Sequence, residues 1–386
     1  MSGHCCVPED IVEEILHRLP PKSIGKCMAV CKSWNLLIKS HRFSSSYQPR
    51  SLSTPLFLVE HSHYQYSLCS PTNIESSFSI PRRDLYTFVG AVNGLVCLTS
   101  YWKMKFILFS PLTRRHLQLP ISQTLLCNSC GDSKKNDFNM HFGLRYGFGF
   151  DSKKNDFKVV HIGHTGCCFK VELYSLNEGA WRVLINTPFE QDLFRSAEKC
   201  CGEQLFFHDS VHWLACETNI CEDLMSVHSN FHIVMFNVVE EKFSKMDLPE
   251  VLAWSYRKLD ITVIDGCLSV VEYPQQPRDN TNIWMKREES WSKIYSLSLS
   301  RGNIRKLLGQ SMSSEVLVLL SCVDNSCRKI KSLHSYDLNS QEMSDLGVKS
   351  RFIHLRASDF TYSLFMLEKE SNAMFLCGKK MVNHQA

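Results

Sequence analysis

Two hydrophobic rhythms divide the chain. Residues 7–43 repeat apolar positions at helical spacing, and from about residue 55 the repeat falls to two. In the first region Ile11, Ile15, Leu16 and Leu19 share one helical face. They follow Pro8, whose missing N–H costs nothing at a first helical position, and Glu9 and Asp10, which suit the positive end of a helix dipole. Pro20-Pro21 ends that helix, and Pro21 opens a second that gathers Ile24, Cys27, Met28 and Val30. A third carries Cys31, Trp34, Leu37 and Ile38, with Lys32 and Lys39 solvated. Three short helices in about 37 residues fall below the size at which a domain usually holds together unaided. Part of their apolar surface is therefore expected to face another body, either the rest of the chain or a partner.

The Ser/Thr/Pro-rich stretch 44–55 reads as a linker, which gives expected boundaries of 1–43, 44–55 and 56–378. Beyond it, short β-branched and aromatic runs are broken by Gly, Asn, Asp and Pro. One kind of unit is a hairpin: Val89 to Leu98 around Asn93-Gly94, Leu205 to Leu214 around Asp209-Ser210, and Ile261 to Val271 around Asp265-Gly266. A second kind accompanies it: Phe106 to Arg115 into Leu119, Val171 to Leu176 into Trp181, Ile233 to Val238 into Leu248, and Leu333 to Leu338 into Leu346. The pairs return about every 50–65 residues, the period of four-stranded sheets that must pack around an axis because none covers both its faces alone. The expected fold is a small all-α N-terminal module of three helices plus a large all-β domain. That domain is an irregular, kelch-like β-propeller, with a large β-sandwich as its rival.

Composition narrows the function. The 386 residues are 44% hydrophobic and 11% aromatic, which supports a sizeable core. A net charge of +4 without a block of like charge offers nucleic acid or an anionic membrane no electrostatic footprint. The N-terminus lacks a basic flank leading into an apolar core, and apolar runs such as Val316 to Leu320 are strand-sized. The 18 cysteines fall inside hydrophobic runs (Cys97, Cys267, Cys377), and no Asn-x-Ser/Thr sequon occurs. Reduced thiols in the cytosol or nucleus are expected.

The run Val7-Pro8-Glu9-Asp10-Ile11-Val12-Glu13-Glu14-Ile15-Leu16-His17-Arg18-Leu19-Pro20-Pro21-Lys22-Ser23-Ile24, followed by Val30-Cys31-Lys32-Ser33-Trp34-Asn35-Leu36-Leu37-Ile38, resembles an F-box over nearly its whole length. Val7 stands where leucine is usual, and Cys27-Met28 where an aromatic–basic pair is usual. Several later pieces together resemble the plant F-box-associated domain across about residues 88–300. They are Asn93 to Cys97, Tyr146 to Asp151 with Asn155 to Val160, Val171 to Leu176 with Trp181-Arg182, Val211 to Leu214, and Ile283 to Met285 with Glu289 to Trp291. The resemblance implies a non-catalytic substrate receptor of a Skp–cullin–F-box ubiquitin ligase. Pro8, Ile11, Ile15, Leu16, Leu19, Pro20, Val30, Trp34 and Leu37 would contact a Skp-type adaptor, or support those contacts, and the adaptor would tether the chain to a cullin. The β domain would hold a target protein for ubiquitylation and proteasomal degradation. Two alternatives stand beside this: a propeller that binds a glycan or small molecule, or is an enzyme, with the helices only decorating it, and a scaffold that binds the adaptor without degradation.

Other chemistry is weaker. Cys127-x-x-Cys130 lacks a second pair at zinc spacing. His208 and His212 sit in a strand–turn–strand pattern rather than on a helix, so no metal is expected. Gly147-x-Gly149 precedes a strand pattern and lacks a third glycine, so no dinucleotide cofactor is expected. Glu240-Glu241 and Glu288-Glu289 are expected to be solvated at turns, and Trp181, Trp213, Trp284 and Trp291 to lie in the core. One oddity is that Asp132 to Phe138 recurs as Asp151 to Phe157. The second copy is expected at a hairpin turn. The first lies in a long polar stretch and reads as a surface duplication or a target-contacting loop.

Overall fold

The computed structural model describes residues 7–40, 42, 43 and 47 and, with short gaps, 56–122, 145–184, 204–350 and 357–360. Its N-terminal part holds α1 (Glu9–Arg18), α2 (Pro21–Cys27) and α3 (Lys32–Lys39). Pro8 is the N-cap of α1, one place earlier than the pattern suggested, because its extended ψ of 146° lies outside the helix. Pro21 opens α2 as expected. The three helices share a small core of their own, in which Leu16, Ile24 and Ile38 meet Phe43 and Tyr47. The Tyr47 hydroxyl donates to the Leu19 carbonyl at 2.6 Å, and the rings of Phe43 and Tyr47 lie beside His17. Two aromatic residues from beyond α3 thus supply burial that the helices lack. Tyr47 comes from the stretch expected to be plain linker.

The β domain is a ring of sheets. Among the described residues there are six, each four-stranded and antiparallel. The first blade takes β1 (Leu56–Ser62), β2 (Gln65–Cys69) and β3 (Ile74–Ser79), and the second β4 (Tyr86–Val92), β5 (Leu95–Ser100), β6 (Lys105–Ser110) and β7 (Arg115–Gln118). The third is β8 (Arg145–Asp151), β9 (Asp156–Thr165), β10 (Cys168–Ser175) and β11 (Ala180–Val183). The fourth is β12 (Leu205–Phe207), β13 (Ser210–Ile220), β14 (Val227–Asn237) and β15 (Lys242–Asp247). A single-turn helix that the sequence pattern did not reveal, α4 (Glu250–Ala253), follows Pro249. The fifth blade is β16 (Leu259–Ile264), β17 (Cys267–Glu272), β18 (Thr281–Arg287) and β19 (Ser290–Leu297). The sixth is β20 (Asn303–Gln310), β21 (Glu315–Val323), β22 (Lys329–Asp337) and β23 (Met343–Ser350). Finally β24 (Ala357–Phe360) pairs with β1 and completes the first blade, with Leu56 opposite Phe360. A late strand completing the first sheet joins the two ends of the ring, so the sheets form a closed β-propeller.

The hairpin signals place the turns. Asn93 and Gly94 both take positive φ, 42° and 75°, between β4 and β5, and Asp265 and Gly266 do so between β16 and β17. Between β12 and β13 the turn is His208-Asp209, one residue earlier than expected, and both residues have positive φ. The middle strands are buried almost without alternation, as in Leu95–Ser100, because neighbouring blades cover both sides of each sheet. Outer strands such as Lys242–Asp247 are largely exposed. Gly147 and Gly149 in β8 have a packing role. A Cβ on Gly147 would stand 2.6 Å from Trp213 of the next blade, and one on Gly149 would stand 2.8 Å from Phe206 and Val238.

Strand direction gives the ring two faces. The turns joining first to second strands lie on one, and the crossovers between blades lie on the other. β1 begins beside the end of β24, so the chain enters the propeller on the turn face.

Candidate functional site

On the helical module, burial sorts the expected contact residues into two groups. Leu16 is sealed inside the small core, and Leu19, Trp34 and Leu37 pack partly against it. Ile11, Ile15 and Val30 are exposed, together with Val7 and Leu36, at 49 to 71% of their full accessible surface. Pro8 and Pro20 are exposed at the starts of α1 and α2. The expected single apolar face of α1 is therefore two rows: Val12, Leu16 and Leu19 turn inward, and Ile11 and Ile15, one turn apart, turn outward. Val30, expected to join Ile24, Cys27 and Met28, instead faces solvent between α2 and α3. Leu36 did not stand out in the sequence, although in Leu36-Leu37-Ile38 only two of three successive helical residues can face one core. Five large apolar side chains left outside the core of so small a module amount to a surface built for contact.

The propeller has a cavity of about 240 Å³ at its centre, bounded by the innermost strands β4, β12, β16 and β20. Its wall is apolar at Phe88, Phe206, Phe207 and Leu307, and charged at Asp260 and Lys306, whose heads stand 3.9 Å apart. Gln204 closes one side. Its amide accepts from the Phe148 N–H at 2.6 Å and donates to the Phe148 carbonyl at 3.3 Å.

Two buried polar clusters have the residue types of an active site. In the first, Ser122 Oγ lies 3.1 Å from His161 Nδ1 and also donates to Glu172 Oε2, with all three side chains fully buried. Since the serine proton points to the carboxylate, the imidazole must be the donor to Oγ, the reverse of what activates a nucleophile. Burial also pushes His161 down to about 4, against the pull of Glu172, so the ring is neutral. In the second cluster, Lys158 Nζ donates to Asp151 Oδ2 at 2.8 Å, to the Val238 carbonyl at 2.7 Å and to Glu241 Oε1 at 2.8 Å. Arg182 caps the other oxygen of Glu241. Burial raises both carboxyls, but hydrogen bonds from Lys158 and, at Glu241, from Arg182 outweigh it and hold them below their ordinary values. Burial likewise lowers Lys158, and its bonds to Asp151 and Glu241 carry it above its ordinary value. Glu241, expected to be solvated, is thus half of a clasp between the third and fourth blades. Its turn folds back over a buried lysine. Glu240, Glu288 and Glu289 are exposed as expected.

The remaining expectations can be placed. His212 is buried, bonds the Ser210 carbonyl through Nδ1 at 3.1 Å and is pushed down to about 4 by burial, while His208 is exposed in the turn. Trp181 and Trp213 donate to the carbonyls of Pro120 and Tyr146, and Trp284 and Trp291 pack on the core between the fourth and fifth blades. The second Asp-Ser-Lys-Lys-Asn-Asp copy forms the turn from β8 to β9, where Asp151 Oδ1 accepts from the N–H groups of Lys153 and Lys154. The first copy, and Cys127 and Cys130, lie outside the described residues.

Comparison with known proteins agrees with this architecture. A family model described as the F-box associated beta propeller domain matches residues 38–368, and one described as the F-box domain matches residues 5–46. The chain is 25% identical over 314 residues to the F-box/kelch-repeat protein At3g23880 of Arabidopsis thaliana, covering 75% of this chain and 79% of that one. It is 26% identical over 382 residues to the F-box protein CPR1 of Arabidopsis thaliana, covering 89% and 84%. Its fold is also similar to a chain in the solved structure titled "Crystal structure of Nidogen/Laminin Complex", with a TM-score of 0.44, 10% identity and coverage of 80% and 99%.

Proposed function

Because the chain belongs to the family of plant F-box proteins with an F-box-associated β-propeller domain, we propose that it is the substrate receptor of a Skp–cullin–F-box ubiquitin ligase. The observation that carries this reading is the outward apolar row of α1, Ile11 and Ile15, which with Val30 and Leu36 stands exposed outside an already satisfied core. A Skp-type adaptor covers that row. Pro8 and Pro20 set the entries of α1 and α2, and Leu16, Leu19, Trp34 and Leu37 hold the contact residues from behind. The propeller holds the target, and the cullin reached through the adaptor brings the conjugating machinery.

On this reading the receptor supplies no reacting group. Its contribution is proximity, raising the effective concentration of target lysines near the charged conjugating enzyme. The setting is the cytosol or nucleus, in keeping with free thiols at Cys27, Cys31, Cys97, Cys216 and Cys267. Affinity purification of the full chain is expected to recover adaptor and cullin together. Proximity labelling is expected to find proteins that accumulate at the chain only under proteasome inhibition. Adaptor without cullin would make the chain a non-degradative scaffold, and neither partner would end the receptor reading.

A further inference from the structure

On the crossover face, the fifth and sixth blades bring four cations together. Lys258 immediately precedes β16, Arg305 and Lys306 lie near the start of β20, and Lys331 lies near the start of β22. First and third strands of a blade run in the same direction, so all four stand at one end of the ring. Their proximity is explicit in the contacts. Lys258 Nζ donates to the Arg305 carbonyl at 3.2 Å. Lys331 lies in register with the start of β20 through the ladder Asn303–Ser321–Lys331, and burial, with the charges of Arg305, Lys258 and Lys306 adding to it, lowers its pKa. A β-bulge contributes to the gathering. Ile304 pairs with Leu320 and Lys306 with Leu319, which leaves Arg305 as the extra residue. The bulge thus adds one residue, a cation, to this end of β20.

Such crowding is electrostatically unfavourable: Asp260 faces Lys306, while the nearby Glu272 and Asp279 are engaged by Arg257. Among the described residues no carboxylate pairs with Lys258 or Arg305, and both are exposed. Two further features mark this rim as a contact surface. The crossover that ends at Lys258 also exposes Val251 and Trp254, at 67% and 46%, and Trp and Arg are both residue types enriched at interface hot spots. Lys306 and Asp260 also line the central cavity, so the rim opens onto a recess able to take a side chain.

We propose that this rim of the fifth and sixth blades reads an acidic segment of the target, a run of carboxylates or a phosphorylated side chain. The proposal rests on the receptor reading and names the class of substrate. Apolar anchors beside the cations favour a peptide over nucleic acid, which would require a longer basic track. The location also suits the task, because the chain enters the propeller on the opposite face, which leaves the crossover face to the target.

The test uses the full-length chain and fluorescein-labelled peptides of equal length carrying glutamates, phosphoserines or glutamines, read by fluorescence anisotropy. The two acidic peptides are expected to bind in a salt-sensitive manner and the glutamine peptide not to. The variant K258Q/R305Q/K331Q is expected to lose affinity by about tenfold, as for several rim charges acting together. R305Q alone, at an exposed position, is expected to lose a few-fold with an unchanged melting temperature. A preference for the phosphoserine peptide would identify phosphate as the recognised group, and equal binding would identify carboxylates. Equal affinity for the glutamine peptide, affinity untouched by the substitutions, or displacement of the peptide by a single-stranded oligonucleotide would overturn the proposal. Adaptor binding is measured on the same preparations. Its loss in the wild-type chain would overturn the receptor reading, and its persistence alongside charge-independent peptide binding would overturn only this one.

Discussion

Replacing Lys158 by methionine tests what holds the blades in register. The ammonium makes three hydrogen bonds, to Asp151, Glu241 and the Val238 carbonyl, and the last two belong to the next blade. Its side chain is 2% exposed and that of Asp151 0%, so neither has water to fall back on. Methionine keeps much of the volume and removes the charge, leaving Asp151 held by the two turn N–H groups alone and Glu241 by Arg182. Removing one partner of a buried pair costs about 3–5 kcal/mol, because the other charge stays buried. For a β domain of about 300 residues, unfolding entropy of about 2.1 cal/mol/K per residue converts this into a fall of roughly 5–8 °C in melting temperature. The assay is thermal unfolding of the full chain followed by near-ultraviolet circular dichroism. Asp151 and Glu241 are held below their ordinary values, so their contribution is present above the ordinary carboxylate range and is lost as pH falls through the lower folded values. Wild-type stability should therefore decline from about pH 5 downward, with a flatter decline in K158M. The triple variant D151N/K158M/E241Q, with no charge left buried, should recover much of the loss. A fall below about 1 kcal/mol in K158M, or an unchanged acid slope, would refute the clasp.

Three further outcomes follow from the packing. Gly147→Ala puts a Cβ 2.6 Å from both Trp213 and Val160, and is expected to cost about 1–3 kcal/mol by overpacking, read as a lower urea midpoint. Leu16→Ala empties a fully buried site in a module with little core to spare, at about 2–5 kcal/mol. It should expose α1 to limited proteolysis while the propeller still melts normally. Asn93→Val forces a β-branched residue to a φ of 42°, and should weaken the β4–β5 hairpin by about 1–3 kcal/mol in thermal unfolding.

Much of this molecule was legible in its local chemistry, for physical reasons. Asn93-Gly94 and Asp265-Gly266 announce turns because few residue pairs tolerate two left-handed conformations in succession. Proline pairs and helical spacing mark the start of α2 and the run of α1 for similar local reasons. What the sequence hid depends on neighbours distant along the chain. Glu241 reads as a solvated turn residue, and only the approach of the third blade, 83 residues away, makes it a partner for Lys158. Helical spacing put Ile15 and Leu16 on one stripe, but a core this small could take only one of them. The single-turn α4 is too short to leave a period at all.

On the receptor reading, the outward apolar row of α1 in the F-box is the adaptor's footprint. Ile11→Asp/Ile15→Asp changes two half-exposed positions outside the helical core, so the chain should keep its helicity and melting temperature. Titration of this variant with the Skp-type adaptor by isothermal calorimetry tests the claim directly. The predicted result is a loss of affinity of more than about a hundredfold, as for central apolar contacts replaced by charge. Binding within about threefold of the wild-type chain, by a variant that remains folded, would contradict it.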